Sequence, residues 1–258
     1  MPFEYTNNAI IEAIWEFAPV AASGGATVLA ELKNHFAQDF NGRQDVVASS
    51  AGFEMQTGPN GISTARPLPA GPPRQRMWNT DGSRLVQFGA DMLAFNALSP
   101  YTHFSHYLPA IRSAFDAYSR LATPVSVRFL GHRYINRIVL PSLDARPEDF
   151  FSVYPALHAA AGAELHPPFA LQVQTEEIQR GQVVLSLTYQ GPDADRRPQY
   201  LLDVYARTVD APNIEFRWER VFAWHQVAHA AIARTFDFVL RPDGYTLLGR
   251  RETAPAGS

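Results

Sequence analysis

The chain has 258 residues, 46% of them hydrophobic, which suits one large domain or two small fused ones with a sizeable core. It contains no cysteine, which excludes disulfides, thiolate zinc sites, iron–sulfur clusters and a cysteine nucleophile. The net charge is −3 and Lys33 is the one lysine among 22 basic residues, so there is no broad basic footprint for a polyphosphate backbone and general nucleic-acid binding is not expected.

In chain order, residues 9–20 (AIIEAIWEFAPV) alternate between two faces and predict a strand stopped by Pro19 and Ser23-Gly24-Gly25. Thr27 is placed to cap a helix to about Phe40, with Val28, Leu32, Phe36 and Phe40 as its buried stripe. Residues 58–73 (GPNGISTARPLPAGPP) are dense in Pro and Gly and predict a mobile loop. Residues 74–79 and 84–96 read as strands joined through Thr80-Asp81-Gly82. Phe104, Leu108, Ile111, Phe115, Tyr118 and Leu121 then trace a helix whose regular hydrogen bonding is limited early by Pro109.

The rest is organised around residues 125–140 (VSVRFLGHRYINRIVL), bracketed by Pro124 and Pro141 and rich in residues that favour a pleated surface. The interior Gly131 predicts a bulge or close backbone approach, with the inward face changing register there. A short helix is expected from Pro147 to about His158, capped at Asp144 or Arg146, followed by strands at 169–177, 182–190 and 199–208. A long helix from about Trp218 to Leu240 closes at Pro242-Asp243-Gly244, and residues 252–258 read as a disordered tail. No window approaches the roughly eighteen consecutive apolar residues of a membrane helix, and the start lacks signal-peptide regions, so a soluble, cytoplasmic protein with no membrane partner is expected.

Both halves read strand, helix, antiparallel strands, long helix. The predicted fold is therefore α+β: a tandem repeat (1–123 and 124–251) of curved antiparallel sheets with helices packed on one side.

Arg133, Asn136 and Arg137 are the most informative polar residues, because charges in a half-buried strand must be paired or solvated. The favoured reading is a structural brace; the sharper one is an anion clamp, since guanidinium offers carboxylate or phosphate a planar donor fork. Asp203, interrupting the apolar YLLDVYA strand, is the natural partner, and the two arginines share a face and should behave alike. His225 and His229 stand four apart on the final helix, but no third ligand is evident, so no metal and no cofactor is expected. His103 and His106 read as solvated or capping groups at a helix entrance, and Glu12 and Glu16 as exposed strand acids. No G-x-S-x-G elbow or glycine-rich phosphate loop is present.

The segments NNAIIEAIWEF, LVQFG with FNALSPY, GHRYINRI, Leu202-Asp203, and His229 followed by Phe236 together resemble a sporadically distributed bacterial family of about this length. The likeness covers most of the chain, with the sharpest block at Arg133, Tyr134, Asn136 and Arg137. It implies a whole-chain unit and an accessory role, such as a component of a defence or toxin-antitoxin module, and brings no activity with it. The functional expectation is a non-enzymatic binding protein for a small anionic ligand or a protein partner, using Arg133, Asn136, Arg137, Asp203 and His229. The alternatives are a His/Asp or metal-assisted hydrolase built on Asp203, His225 and His229, or a subunit whose sheet edge pairs in a homodimer.

Overall fold

The computed structural model describes residues 3–20, 25–47, 53–57, 63–67, 74–155, 169–209 and 214–252. β1 (Phe3–Tyr5) precedes β2 (Ile10–Pro19), α1 (Gly25–Phe36) and β3 (Arg43–Val47); the strands β4 (Phe53–Thr57) and β5 (Ser63–Pro67) pair only with each other. Then come β6 (Arg74–Trp78), β7 (Arg84–Phe88), β8 (Leu93–Leu98), α2 (Phe104–Ala122) and the long β9 (Ser126–Val139). The second half runs α3 (Pro147–Phe150), β10 (Ala170–Ile178), β11 (Gly181–Pro192), β12 (Pro198–Thr208), β13 (Ile214–Glu215), α4 (Trp218–Val239), α5 (Pro242–Leu248) and β14 (Arg250–Glu252).

One antiparallel sheet of ten strands carries both halves, in the order β10-β11-β12-β9-β2-β8-β7-β6-β3, with β13 paired to β9 off that path. β2 and β9 lie side by side at the centre. Outward from β2 the chain adds β8, β7 and β6; outward from β9 it adds β12, β11 and β10, so each half is built in the same order. α2 and α4 lie on one face, where a single core draws Trp15, Phe17, Phe95 and Tyr118 from one half and Leu130 and Tyr200 from the other. Each such large side chain contributes about 1.5–3 kcal/mol relative to exposure, so a core spanning position 123 makes the two halves one thermodynamic body. The buried residues Val221, Trp224, His225, Ala228, Ile232, Thr235 and Val239 recur every three or four positions on α4, which is why that helix lies flat on the sheet.

Several sequence expectations are corrected. The segment 84–96 is two strands, because the backbone turns from Gly89 to Met92 (N–H to carbonyl, 2.9 Å). Residues 63–67, expected within a mobile loop, form β5, which pairs with β4. The rest of that loop lies outside the described residues. α1 stops at Phe36 rather than Phe40, α3 ends at Phe150, and Pro242 opens α5 at its first turn instead of merely closing α4. α5 ends on Gly249, whose left-handed φ of 64° suits glycine. Glu252, assigned to the tail, belongs to β14, which pairs with β1; residues 253–258 lie outside the described residues. Among the described residues no helix is long and apolar enough to cross a membrane.

Candidate functional site

β9 alternates as its sequence requires: His132, Tyr134 and Asn136 point under the helices, and Arg133, Ile135 and Arg137 point to the distal face. The register change does not fall at Gly131. The β9–β12 ladder runs unbroken from Val139 to Gly131; the β2–β9 ladder shifts register between Ile10 and Glu12 and again opposite Ala18 and Pro19, which face Phe129 and Val127 and leave Arg128 as the extra residue. Gly131 instead marks a close approach. A Cβ there would collide with the Glu16 carboxylate and lie 2.9 Å from the Tyr205 hydroxyl, because Tyr205 reaches across β9 to donate to Glu16 Oε2 at 2.7 Å.

On the distal face Arg133 grips Asp203 with both arms of its fork, Nε to Oδ1 at 2.8 Å and Nη2 to Oδ2 at 2.5 Å, and sits over the Tyr205 ring at 5.4 Å. Burial works against the Arg133 charge, but the Asp203 carboxylate more than offsets it and holds the guanidinium above its ordinary pKa. Burial, then the neighbouring Glu16 charge, pushes the Tyr205 phenol up, so it stays a neutral donor. Arg137 shares this face but is exposed, with no ion-pair partner among the described residues. The two arginines are thus not equivalent. Glu12 and Glu16, expected as exposed acids, are half-buried and bonded: Asn96 Nδ2 donates to Glu12 as Tyr205 does to Glu16. Long side chains from flanking strands crowd a wide sheet in a way an isolated strand does not show.

A cavity of about 430 Å³ opens on the distal face at one end of the β2–β9 seam. Its lining includes Glu16 and Ala18 of β2, Arg128 and Phe129 of β9, Thr208 and Val209 at the end of β12, and Arg74 and Met92 from the opposite side. It lies where ladders run out. β12 leaves β9 at Gly131, β13 joins it only at Val127, and β8 leaves β2 at Phe17. The bulge between those points aims Arg128 across the gap toward Asp91. Asp91 accepts from Arg74 Nη2 at 3.1 Å, whereas Arg128 Nη2 stays 3.8 Å away, beyond hydrogen-bond reach. Arg74 Nε and Asp91 Oδ1 are buried without partners among the described residues. Sequence reasoning missed Arg74, Asp91 and Arg128. The legible signal was Gly89-Ala90-Asp91 as a turn.

Beneath the sheet, Asn136 Nδ2 donates to the carbonyls of Leu202 (3.0 Å) and Tyr134 (3.3 Å), a strand-tying role. Tyr101, Tyr134 and His229 form a chain, hydroxyl to hydroxyl at 3.1 Å and hydroxyl to Nδ1 at 3.0 Å. His132 Nδ1 lies 3.3 Å from the His225 carbonyl, and its ring is 5.4 Å from His225 and 5.7 Å from His229. Burial lowers His225 to about 3 and His229 to about 4, and burial with the two neighbouring imidazoles drives His132 well down. All three are neutral at pH 7. Trp15 Nε1, His132 Nε2 and both nitrogens of His225 have no hydrogen-bond partner among the described residues. Among the described residues no group of three or more His, Asp or Glu is arranged to hold a metal ion.

The five residues predicted as one site are therefore divided. Arg133, Arg137 and Asp203 stand on the distal face, and Asn136 and His229 under α4. The sheet also separates Asp203 from His225 and His229, so the hydrolase constellation is not brought together. His103, expected as a capping group, caps α2 by accepting from the Ser105 N–H at 3.2 Å. No family model and no curated protein matches the chain.

Proposed function

We propose that this chain is a non-enzymatic binding protein that takes a small anionic ligand on the distal face of its sheet, in the cavity at the end of the β2–β9 seam. The observation that carries this is Arg128: its guanidinium lines the cavity, is aimed there by a bulge, and makes no hydrogen bond among the described residues. A guanidinium fork so placed is a ready carboxylate or phosphate receptor. Arg133, expected as part of a clamp, is on this reading the brace that fixes Tyr205 and Glu16 beside it. The repeated strand order favours a tandem duplication, which would make the cavity a feature of the joint between repeats. The resemblance to a sporadic bacterial family supports an accessory role, such as one component of a defence or toxin-antitoxin module.

The test is thermal unfolding in inorganic phosphate or butanoate against chloride at matched ionic strength. The wild-type midpoint rises with either anion, and Arg128→Gln loses the rise. No anion-specific shift in the wild type would remove the small-ligand reading. A protein partner, including a second copy paired along edge strand β3 or β10, would then be the better occupant.

A further inference from the structure

The geometry points to a dipolar ligand: a small ω-amino acid or similar zwitterion whose acid group meets Arg128 and whose ammonium meets Glu16. This rests on the ligand-binding reading above and narrows it by charge. Glu16, Arg74 and Arg128 line the cavity, and Asp91 stands behind the two arginines. Arg74 and Asp91 are hydrogen-bonded to each other at 3.1 Å and cancel. Of the charged side chains lining the cavity, that leaves Arg128 as a cation outside that pair and Glu16 as the anion, the latter also within electrostatic reach of Arg133. Arg128 is 60% exposed and makes no hydrogen bond among the described residues, where its nearest carboxylate oxygen is 3.8 Å away. Glu16 accepts from Tyr205 through Oε2 alone, and Oε1 has no partner among the described residues.

A simple anion would gain at Arg128 but would stand in the same cavity as an ionised carboxylate it cannot satisfy, which penalises it by like-charge repulsion. A ligand with charges of both signs satisfies both groups. Beside the charged groups, the mixed lining also carries the apolar side chains of Ala18, Met92, Phe129 and Val209. Met92 belongs to a small buried cluster with Ile14 and Ala94 on this same face, against which Ile135 packs. A methylene chain joining the two charged ends can lie along those apolar side chains. Tyr205 fixes the acidic end: it holds one Glu16 oxygen in place, is itself held under the Arg133–Asp203 pair, and reaches Glu16 only because residue 131 is glycine.

The experiment is calorimetric titration of the full chain with the series glycine to 6-aminohexanoate, and with butanoate and butylamine as single-charge controls, on wild type, Glu16→Gln and Arg128→Gln. Gln at position 16 keeps an acceptor for the Tyr205 hydroxyl, and Arg128 is exposed, so both variants fold; circular dichroism checks this. The best-fitting amino acid binds about tenfold tighter than butanoate, the worth of one added charge-assisted contact. Glu16→Gln reduces it to the butanoate level, and Arg128→Gln abolishes both. Butanoate binding as tightly as every amino acid, with Glu16→Gln silent, overturns the dipolar ligand and leaves the anion site standing. Butylamine binding alone, or no probe binding, overturns both readings.

Discussion

At the scale of single residues, Arg133 and Arg137 share a strand face and differ in what meets them. The Arg133–Asp203 pair has side-chain exposures of 37% and 18%, between a surface pair and a buried one. Exposed pairs are worth up to about 1 kcal/mol and breaking a buried pair costs about 3–5, so Arg133→Ala should cost about 2 kcal/mol in urea unfolding. Arg137→Ala should stay within about 0.5 kcal/mol, as exposed substitutions do. Gly131→Ala should destabilise by about 1–3 kcal/mol through overpacking against Glu16 and Tyr205. Combining it with Glu16→Ala should recover part of that loss, and strict additivity in the double-mutant cycle would show the collision is not the cause. The shared face of Arg133 and Arg137 was legible from alternation, and so was Asp203 as the partner. Arg128 was not legible. Its displacement depends on where β12, β13 and β8 stop alongside β2 and β9, which no local pattern in β9 records.

At the scale of elements, α4 presses His225 and His229 onto β9 beside His132 with little hydrogen bonding to support a charge. Their folded-state pKa values lie below the ordinary histidine value, so the unfolded chain binds more protons as pH falls. Stability is complete above about pH 6.5 and is lost between about 6.5 and 4 for His229, and on toward 3 for His225. Each histidine steepens the loss by about 1.4 kcal/mol per pH unit within its window. His225→Phe, which removes two unpartnered nitrogens and keeps a ring against Phe17, should be near neutral at pH 7.5 and should flatten the acid slope. Urea unfolding at pH 7.5 and 5 checks both; an unchanged slope would mean the imidazoles are not desolvated. The helical stripe that packs α4 was readable from its spacing. The meeting of its histidines with His132 was not, because it depends on which face of a strand 93 residues earlier in the chain lies beneath the helix.

At the scale of the molecule, the two halves share one sheet and one core, so the chain should melt in a single calorimetric transition despite its repeated strand order. Two resolved transitions would mean that the β2–β9 seam is a weak joint rather than the centre of the fold. The matching element order of the two halves was legible in sequence, while the pairing of β2 with β9 that joins them is a long-range contact with no sequence signature. That fusion also creates the cavity, since its rim is assembled from ladder ends contributed by both halves.

The most direct measurement is hydrogen–deuterium exchange of the intact protein with and without saturating butanoate. Slower exchange is expected in peptides covering Glu16–Pro19 and Ser126–Gly131, with α4 unchanged. Protection confined to α4 around His225 and His229, with the seam unaffected, would contradict binding on the distal face.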